Sequence, residues 1–333
     1  MRAHRTHLTA VVSTLFLLAA CSSGTSSSST TSGTTGEATT TATTTTTGSV
    51  GAGGAGGGST TSTTATTGTG GSSTTSTTGS GGAGGAPVQG DHLLISEVGV
   101  SPGEGEFVEI ENPTASAVDL SEYYLSDNSA YYGIAAGQPW NPVTANPGTD
   151  FLAQFPAGTM LAPGARIVIA TDPGYETTFN KCPDFILAAA PLNCAAGMAK
   201  AMLAPTNGGI GDQAGTLLSN SREMLVLFHW DGVVNHLVED IDYVTWGTMF
   251  DDATRADKSA VAGYKADTGR DLQKPAIAPT NGQSIERCGA TLEPGEKASG
   301  GNGIKGHDET SEAMNQSFKV QTMPTPGAKN SCL

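Results

Sequence analysis

Basic residues are scarce in this sequence: 16 Lys and Arg stand against 31 Asp and Glu, a formal net charge of -15. Such a surface repels phosphate backbones, which excludes nucleic acid as a partner. Aromatic residues make up only 6% of the chain, and they are unevenly placed. Every Tyr and Trp, and all Phe except Phe16, lie at or beyond Phe107, so the material for a core begins late. No Cys-x-x-Cys occurs, which argues against zinc ribbons and thioredoxin-like redox chemistry. The part with a core also lacks a Gly-x-Ser-x-Gly elbow, a His-Glu-x-x-His pair and a phosphate-binding glycine loop, so the common hydrolase and nucleotide constellations are missing. The reading is of a non-catalytic protein without a cofactor.

The only long apolar run is at the start. MRAHRTHLTAVVSTLFLLAAC opens with Arg2 and Arg5 and continues through Leu8 to Ala20, too short for a membrane span and suited to an export signal. Leu18-Ala19-Ala20-Cys21 resembles the lipobox of bacterial lipoproteins, which implies a signal over residues 1–21 and lipidation at Cys21. The implied location is the bacterial cell envelope, with the lipid anchor giving membrane association; Ser22 after the Cys points to the outer membrane or cell surface. From Ser22 to Ala86 only Glu37 and Val50 depart from Ser, Thr, Gly and Ala. A segment with so little to bury cannot offset the entropy of ordering its backbone, and residues 22–86 read as a disordered linker.

Past Cys21 there remain Cys182, Cys194, Cys288 and Cys332, an even number in an exported chain, where disulfides are the expected state. Three connectivities exist. Cys182 with Cys194 and Cys288 with Cys332 is favoured, because the first pair brackets a compact loop and the second pins the carboxyl terminus.

Residues 87–333 alternate short strand-like runs with turn residues: His92–Val100, Glu106–Asn112, Ala117–Asp127, Ala165–Asp172, Glu223–Trp230 and Val233–Trp246. In GEGEFVEIENP the period-two rule puts Val108 and Ile110 on one face and Glu109 and Glu111 on the other. Glu104, Glu106, Glu109 and Glu111 are therefore expected on a solvated face and its rim. Asp231-Gly232 between apolar runs predicts a two-residue hairpin, pairing Val226 with Leu237 and Leu225 with Val238. That register brings His229 and His236 together diagonally, the one His pair able to start a metal site, without an evident third ligand. The intervening stretches 128–156, 173–215 and 247–282 read as irregular, with a short helix near Ala195–Leu203. Asp251, Asp252, Asp257 and Asp267 fit no recognised calcium loop. In GHDETSEAMNQSF, Asp308, Glu309 and Asn315 are candidate calcium ligands, against a polar turn before a last strand.

These blocks, LLISEVGVSPGEGEFVEIENPTASAVDLSEYYLSD, FPAGTMLAPGARIVIATD, LLSNSREMLVLFHWDGVVNHLVEDIDYVTWG, QSIERCG and PTPGAKN, resemble in order those of the lamin tail domain. The resemblance implies an all-β fold, an immunoglobulin-like β-sandwich of lamin-tail type, here with long loop insertions. It also implies framework roles for Glu106, Asn112, Leu120, Pro163-Gly164, Asp231-Gly232, Arg287 and Pro326-Gly327. The functional expectation is a tethered binding or adhesion module whose partners are envelope or surface proteins or polysaccharides. The alternatives are a calcium-dependent binding module and a metal-dependent hydrolase with a loop-borne site.

Overall fold

The computed structural model describes residues 90–100, 105–137, 140–142, 150–188, 190–213, 217–248, 254–265, 267–289 and 293–332. The expected signal with Cys21, the segment 22–86, Glu104, Asp251 and Asp252 lie outside the described residues. Among those described, no helix is long and apolar enough to cross a membrane.

The strands, in chain order, are β1 (Leu94–Gly99), β2 (Phe107–Glu111), β3 (Val118–Asp119), β4 (Tyr123–Ser126), β5 (Leu152–Gln154), β6 (Met160–Leu161) and β7 (Arg166–Ala170). They continue with β8 (Phe185–Ile186), β9 (Leu192–Cys194), β10 (Gly197–Ala201), β11 (Arg222–His229), β12 (Glu239–Gly247), β13 (Ser284–Arg287) and β14 (Phe318–Gln321). The larger sheet has the order β14-β13-β1-β2-β7-β8-β10-β9, and the smaller β12-β11-β4-β5. The pair β3-β6 stands apart. One core joins the sheets: Ile95, Val98, Val108, Ile110, Ile167 and Ile169 of the first meet Leu125, Leu225, Val244 and Trp246 of the second. Each such side chain contributes about 1.5–3 kcal/mol when fully buried. This two-layer arrangement is the immunoglobulin-like sandwich that the resemblance implies.

Three expectations need correction. The stretch near Ala195–Leu203 contains strand β10, not a helix, and it pairs in parallel with β8. The β11–β12 connection is longer than two residues, since His229 faces Glu239 and Leu225 faces Val244. Tertiary anchoring overrides the local turn preference. Trp230 is buried and its indole donates to the His236 carbonyl, 3.1 Å away. Asn235 takes a left-handed φ of 66° and its N–H bonds to the Ala135 carbonyl. Asp231 meanwhile turns the chain by accepting from the Val233 N–H.

The third correction concerns the acidic face. Glu109 does point away from the core, as periodicity requires, but it and Glu106 are fully buried. Glu97, Glu109 and Glu286 form one row on the outer face of β13, β1 and β2, Glu97 being opposite both others. Like charges in such a row repel, and the carboxyl-terminal segment is folded over them. Thr325 N–H donates to Glu97 at 3.0 Å, Gly327 N–H to Glu109 at 2.6 Å, and Cys332 N–H to Glu286 at 3.1 Å. Arg166 adds a cation 3.2 Å from Glu109 and 2.6 Å from Glu111. Glu106 accepts from the Leu217 and Leu218 N–H groups. Beside them Phe107, Val168, Ala170 and Tyr175 make a second, smaller apolar cluster.

Cys182 is bonded to Cys194, and Cys288 to Cys332. The second bridge closes a span of 44 residues and fastens the covering segment. Replacing Cys332 with Ala is expected to cost about 4 kcal/mol in the chain-entropy model and to expose residues 322–332 to protease, read by urea denaturation and limited proteolysis. Burial, against the hydrogen bonds they accept, pushes the carboxyls of Glu106 and Glu109 up to about 7. Both therefore bind a proton more tightly folded than unfolded, so their contribution to stability is full below about pH 4.5 and is lost as pH rises through about 7. The urea midpoint should be higher at pH 5.5 than at pH 8, and Glu109→Gln should flatten that slope.

Candidate functional site

The chain just ahead of β1 meets the loop that follows β13, and each brings an imidazole and carboxylates. Asp91 and His92 come from the first; Glu293, Glu296, His307 and Glu309 come from the second. A turn places Glu293 and Glu296 together, Glu296 N–H donating to the Glu293 carbonyl. A tight loop then presents His307: Gly301 N–H bonds to the Gly306 carbonyl and Gly303 N–H to the His307 carbonyl. The loop runs close over Glu309 at Gly303, where a Cβ would stand 2.6 Å from Glu309 Oε1 and 3.0 Å from the His307 carbonyl oxygen.

Both nitrogens of His92 face acids, Nδ1 at 2.7 Å from Asp91 and Nε2 at 3.1 Å from Glu293. His307 Nδ1 lies 2.8 Å from Glu296, and its Nε2 lies 3.9 Å from Asp91. The two rings meet edge to face with centroids 5.7 Å apart. His92, Glu293 and Glu309 each offer a donor atom within 4.8 Å of the others, and so do Glu296, His307 and Glu309. Glu309 is common to both groups. It is 3% exposed, and its Oε1 is buried without a hydrogen-bond partner.

The electrostatics follow from burying so many acids together. Burial and then the nearby Glu296 hold the Glu309 carboxyl well above its ordinary range. Burial and Glu293 push Glu296 up to about 8. Burial opposes charging of His92, but Glu293 and Asp91 outweigh it and the imidazole rises to about 9. The site attracts positive charge, as protons or as a cation.

Its inner edge already holds a fixed cation. Arg287, at the end of β13, is buried and donates to Asp242 at 2.8 Å and Glu312 at 2.7 Å. Its Nε donates to the Ile95 carbonyl, and the guanidinium lies 4.6 Å from the Phe318 ring centroid. Asp242 also accepts from Ile95 N–H. A third acidic group, Asp242, Glu293 and Glu312, is therefore already served by this guanidinium. A second internal cation, Lys258, is bonded to Asp240 and Tyr131 and lies 3.4 Å from Asp267.

The residues expected from sequence fare differently. His229 binds Glu122 at 3.1 Å and His236 binds Asp231 at 2.6 Å, so each has its own acid on an exposed surface. Asp308 faces away from Glu309, toward Thr268, Thr310 and Lys297. Asn315 is exposed on a short helix, α1 (Met314–Ser317), and does not join them. Of the five candidates only Glu309 enters a convergent group. Asp257 accepts from Ser259 N–H, while Asp267 is buried beside Lys258. Sequence reasoning missed His92, Glu293, Glu296 and His307, because His92 and Glu293 are 201 residues apart. The available signal was Glu293 to Glu309 itself, a stretch with two Glu, His-Asp-Glu and a single aliphatic larger than Ala, Ile304.

A shallow cleft of about 480 Å³ lies on the other side of the Gly301–His307 loop, lined in part by His229, Asp231, His236, Glu239, Lys265 and Asn302. Framework roles implied for Asn112 and Leu120 fit their burial, Asn112 Nδ2 donating to the Leu161 carbonyl.

Residues 87–248 match the family model described as Lamin Tail Domain. The match ends after β12, and β13 and β14 beyond it complete the larger sheet. A solved structure of a DUF4876 family protein from Bacteroides thetaiotaomicron is similar at 16% identity and a TM-score of 0.40, over 72% of this chain and 74% of that one. No curated protein matches the chain.

Arg287→Lys keeps the charge but loses the fork that reaches Asp242 and Glu312 together, and Arg287→Ala strands both acids. Breaking a buried pair in this way costs about 3–5 kcal/mol. The alanine variant should lose that much in urea denaturation, and the lysine variant should recover only part of it.

Proposed function

We propose that this chain, built on a lamin tail domain at residues 87–248, is a cell-envelope lipoprotein that presents a non-catalytic binding module on a flexible tether. The sequence supports the anchor: a basic and then apolar start ends at Leu18-Ala19-Ala20-Cys21, followed by a Ser/Thr/Gly arm. An arm of that composition raises the effective concentration of the module near its own surface.

The surface feature that carries the binding reading is the cleft between the β11–β12 connection and the Gly301–His307 loop. Its lining offers carboxylates, imidazoles, an amide and an ammonium, a set that hydrogen-bonds hydroxyl-rich ligands. Leu237 in its lining, and Val233 and Val234 on the same connection, are nearly half exposed, an apolar tip beside a polar wall. Envelope polysaccharide is the ligand class this combination favours. The tip is held from behind by Trp230 and Asn235, so it is a formed surface before any ligand arrives.

The test uses the full chain in detergent against polysaccharides and envelope proteins of its own cell. Saturable binding to a polysaccharide, weakened roughly tenfold or more by His236→Ala with Asn302→Ala, is expected. Cys21→Ala should release the protein from the membrane fraction. Absence of saturable binding to every envelope component would overturn the binding reading, and membrane retention of Cys21→Ala would overturn the anchor.

A further inference from the structure

We propose that His92, Glu293, Glu296, His307 and Glu309 hold a zinc-class divalent cation, with Glu309 as the carboxylate shared by the two halves of the ligand set. This goes beyond the binding reading and does not rest on it, since the ligands lie behind the cleft and not in it.

Convergence of acids alone would not suffice. The independent observation is Glu309, whose Oε1 is buried and without a partner, and whose carboxylate offers a donor atom within 4.8 Å of those of His92 and Glu293 in one group and of Glu296 and His307 in the other. A cation there would answer that oxygen and its neighbours together. Donors on a tetrahedral zinc stand about 3.4 Å apart. Within each group the donor atoms are spread over up to 4.8 Å, so the glutamates would turn inward to close on an ion.

The donor types select the metal. Calcium and magnesium take oxygen ligands almost alone, whereas two imidazoles among carboxylates suit zinc and its first-row neighbours. Asp91 supplies the outer support such sites use: it accepts from His92 Nδ1 at 2.7 Å, leaving Nε2, which faces Glu293, for the ion. The same carboxylate lies 3.9 Å from the far nitrogen of His307.

The site is closed, which marks a structural ion and not a catalytic one. His92, Glu293, Glu296 and His307 have side chains 12% exposed or less. The segment it would hold needs such a staple: between Glu293 and Glu312 the described residues form only two single turns of 3-10 helix, Ile304–Gly306 and Glu309–Ser311, and isolated bridges of Lys297 to Asp308 and of Gly303 to Asp240. Small loop-rich segments without a core of their own are commonly fixed by metal or disulfide. The ion would fasten that loop to the chain entering β1 and set one wall of the cleft.

The experiment strips the full chain with chelator, then adds zinc or calcium while following thermal unfolding and bound metal by elemental analysis. Zinc is expected to remain through dialysis at one or more ions per chain and, at a hundredfold excess over Kd, to raise Tm by about 5–10 °C; calcium is expected to do neither. Glu309→Gln and His307→Gln should each weaken zinc binding by on the order of 100-fold, and His236→Ala should leave it unchanged. Glu309→Gln is a near-isosteric, neutral replacement of a carboxyl whose Oε1 is buried without a partner, so without metal it should melt no lower than the metal-free parent. Loss of zinc binding then reports a lost ligand and not a lost fold. No zinc response, a response to calcium alone, or a zinc shift that survives both Gln variants would overturn the proposal. Polysaccharide binding is read separately, so either idea can fail while the other stands.

Discussion

Arg287 is the group on which the two layers of this sandwich depend. It ends β13 in the larger sheet and reaches Asp242 on β12 in the smaller one, while also meeting Glu312 and the Ile95 carbonyl. Its charge is held firmly, because the attraction of Asp242 and Glu312 outweighs the cost of burial. Two acids against one guanidinium leave a net negative charge at the sheet interface. Burial, offset in part by Arg287, pushes Asp242 to about 6 and Glu312 to about 7. The deficit continues outward into the cluster of Glu293, Glu296 and Glu309, so the interior polar chemistry of this protein is one connected problem in charge compensation.

The same problem recurs on the outer face of the larger sheet with a different answer. There the row of Glu97, Glu109 and Glu286 is met by backbone N–H groups, hydroxyls and Arg166 rather than by a core cation. Backbone donors suit a covering strap because they make no demand on its sequence beyond the turn residues. Gly327, with φ of 73°, is one place where that demand is real. The disulfide at Cys332 keeps the strap from peeling off its bed of acids. An acidic protein can thus bury carboxylates at scale when each meets a donor at short range.

Much of the sandwich was legible because it rests on local pattern. Val108 and Ile110 alternate with Glu109 and Glu111, and the observed strand keeps that alternation. What covers the outward set was not legible, since Thr325 meets Glu97 across 228 residues. The Asp231-Gly232 turn misled for a related reason: a buried Trp230 and an Asn235 tied to residue 135 fix a longer connection than the dipeptide prefers. The acid and imidazole cluster was hidden twice over. His92 reads as the edge of a strand, and Glu293 to Glu309 reads as a soluble loop until folding lays one against the other. Only Glu309 carried a hint, and its supposed companions Asp308 and Asn315 turn elsewhere.

The position of Asp91 and His92 has a mechanical consequence. They stand immediately ahead of β1, a strand bonded on both sides by antiparallel neighbours. A pull applied to the chain at residue 90 along β1 would be met first by Asp91, through Lys305 at 3.1 Å, and by His92 through Glu293. Only afterwards does it load the rungs of β1, which lie across the direction of pull and so resist together in shear.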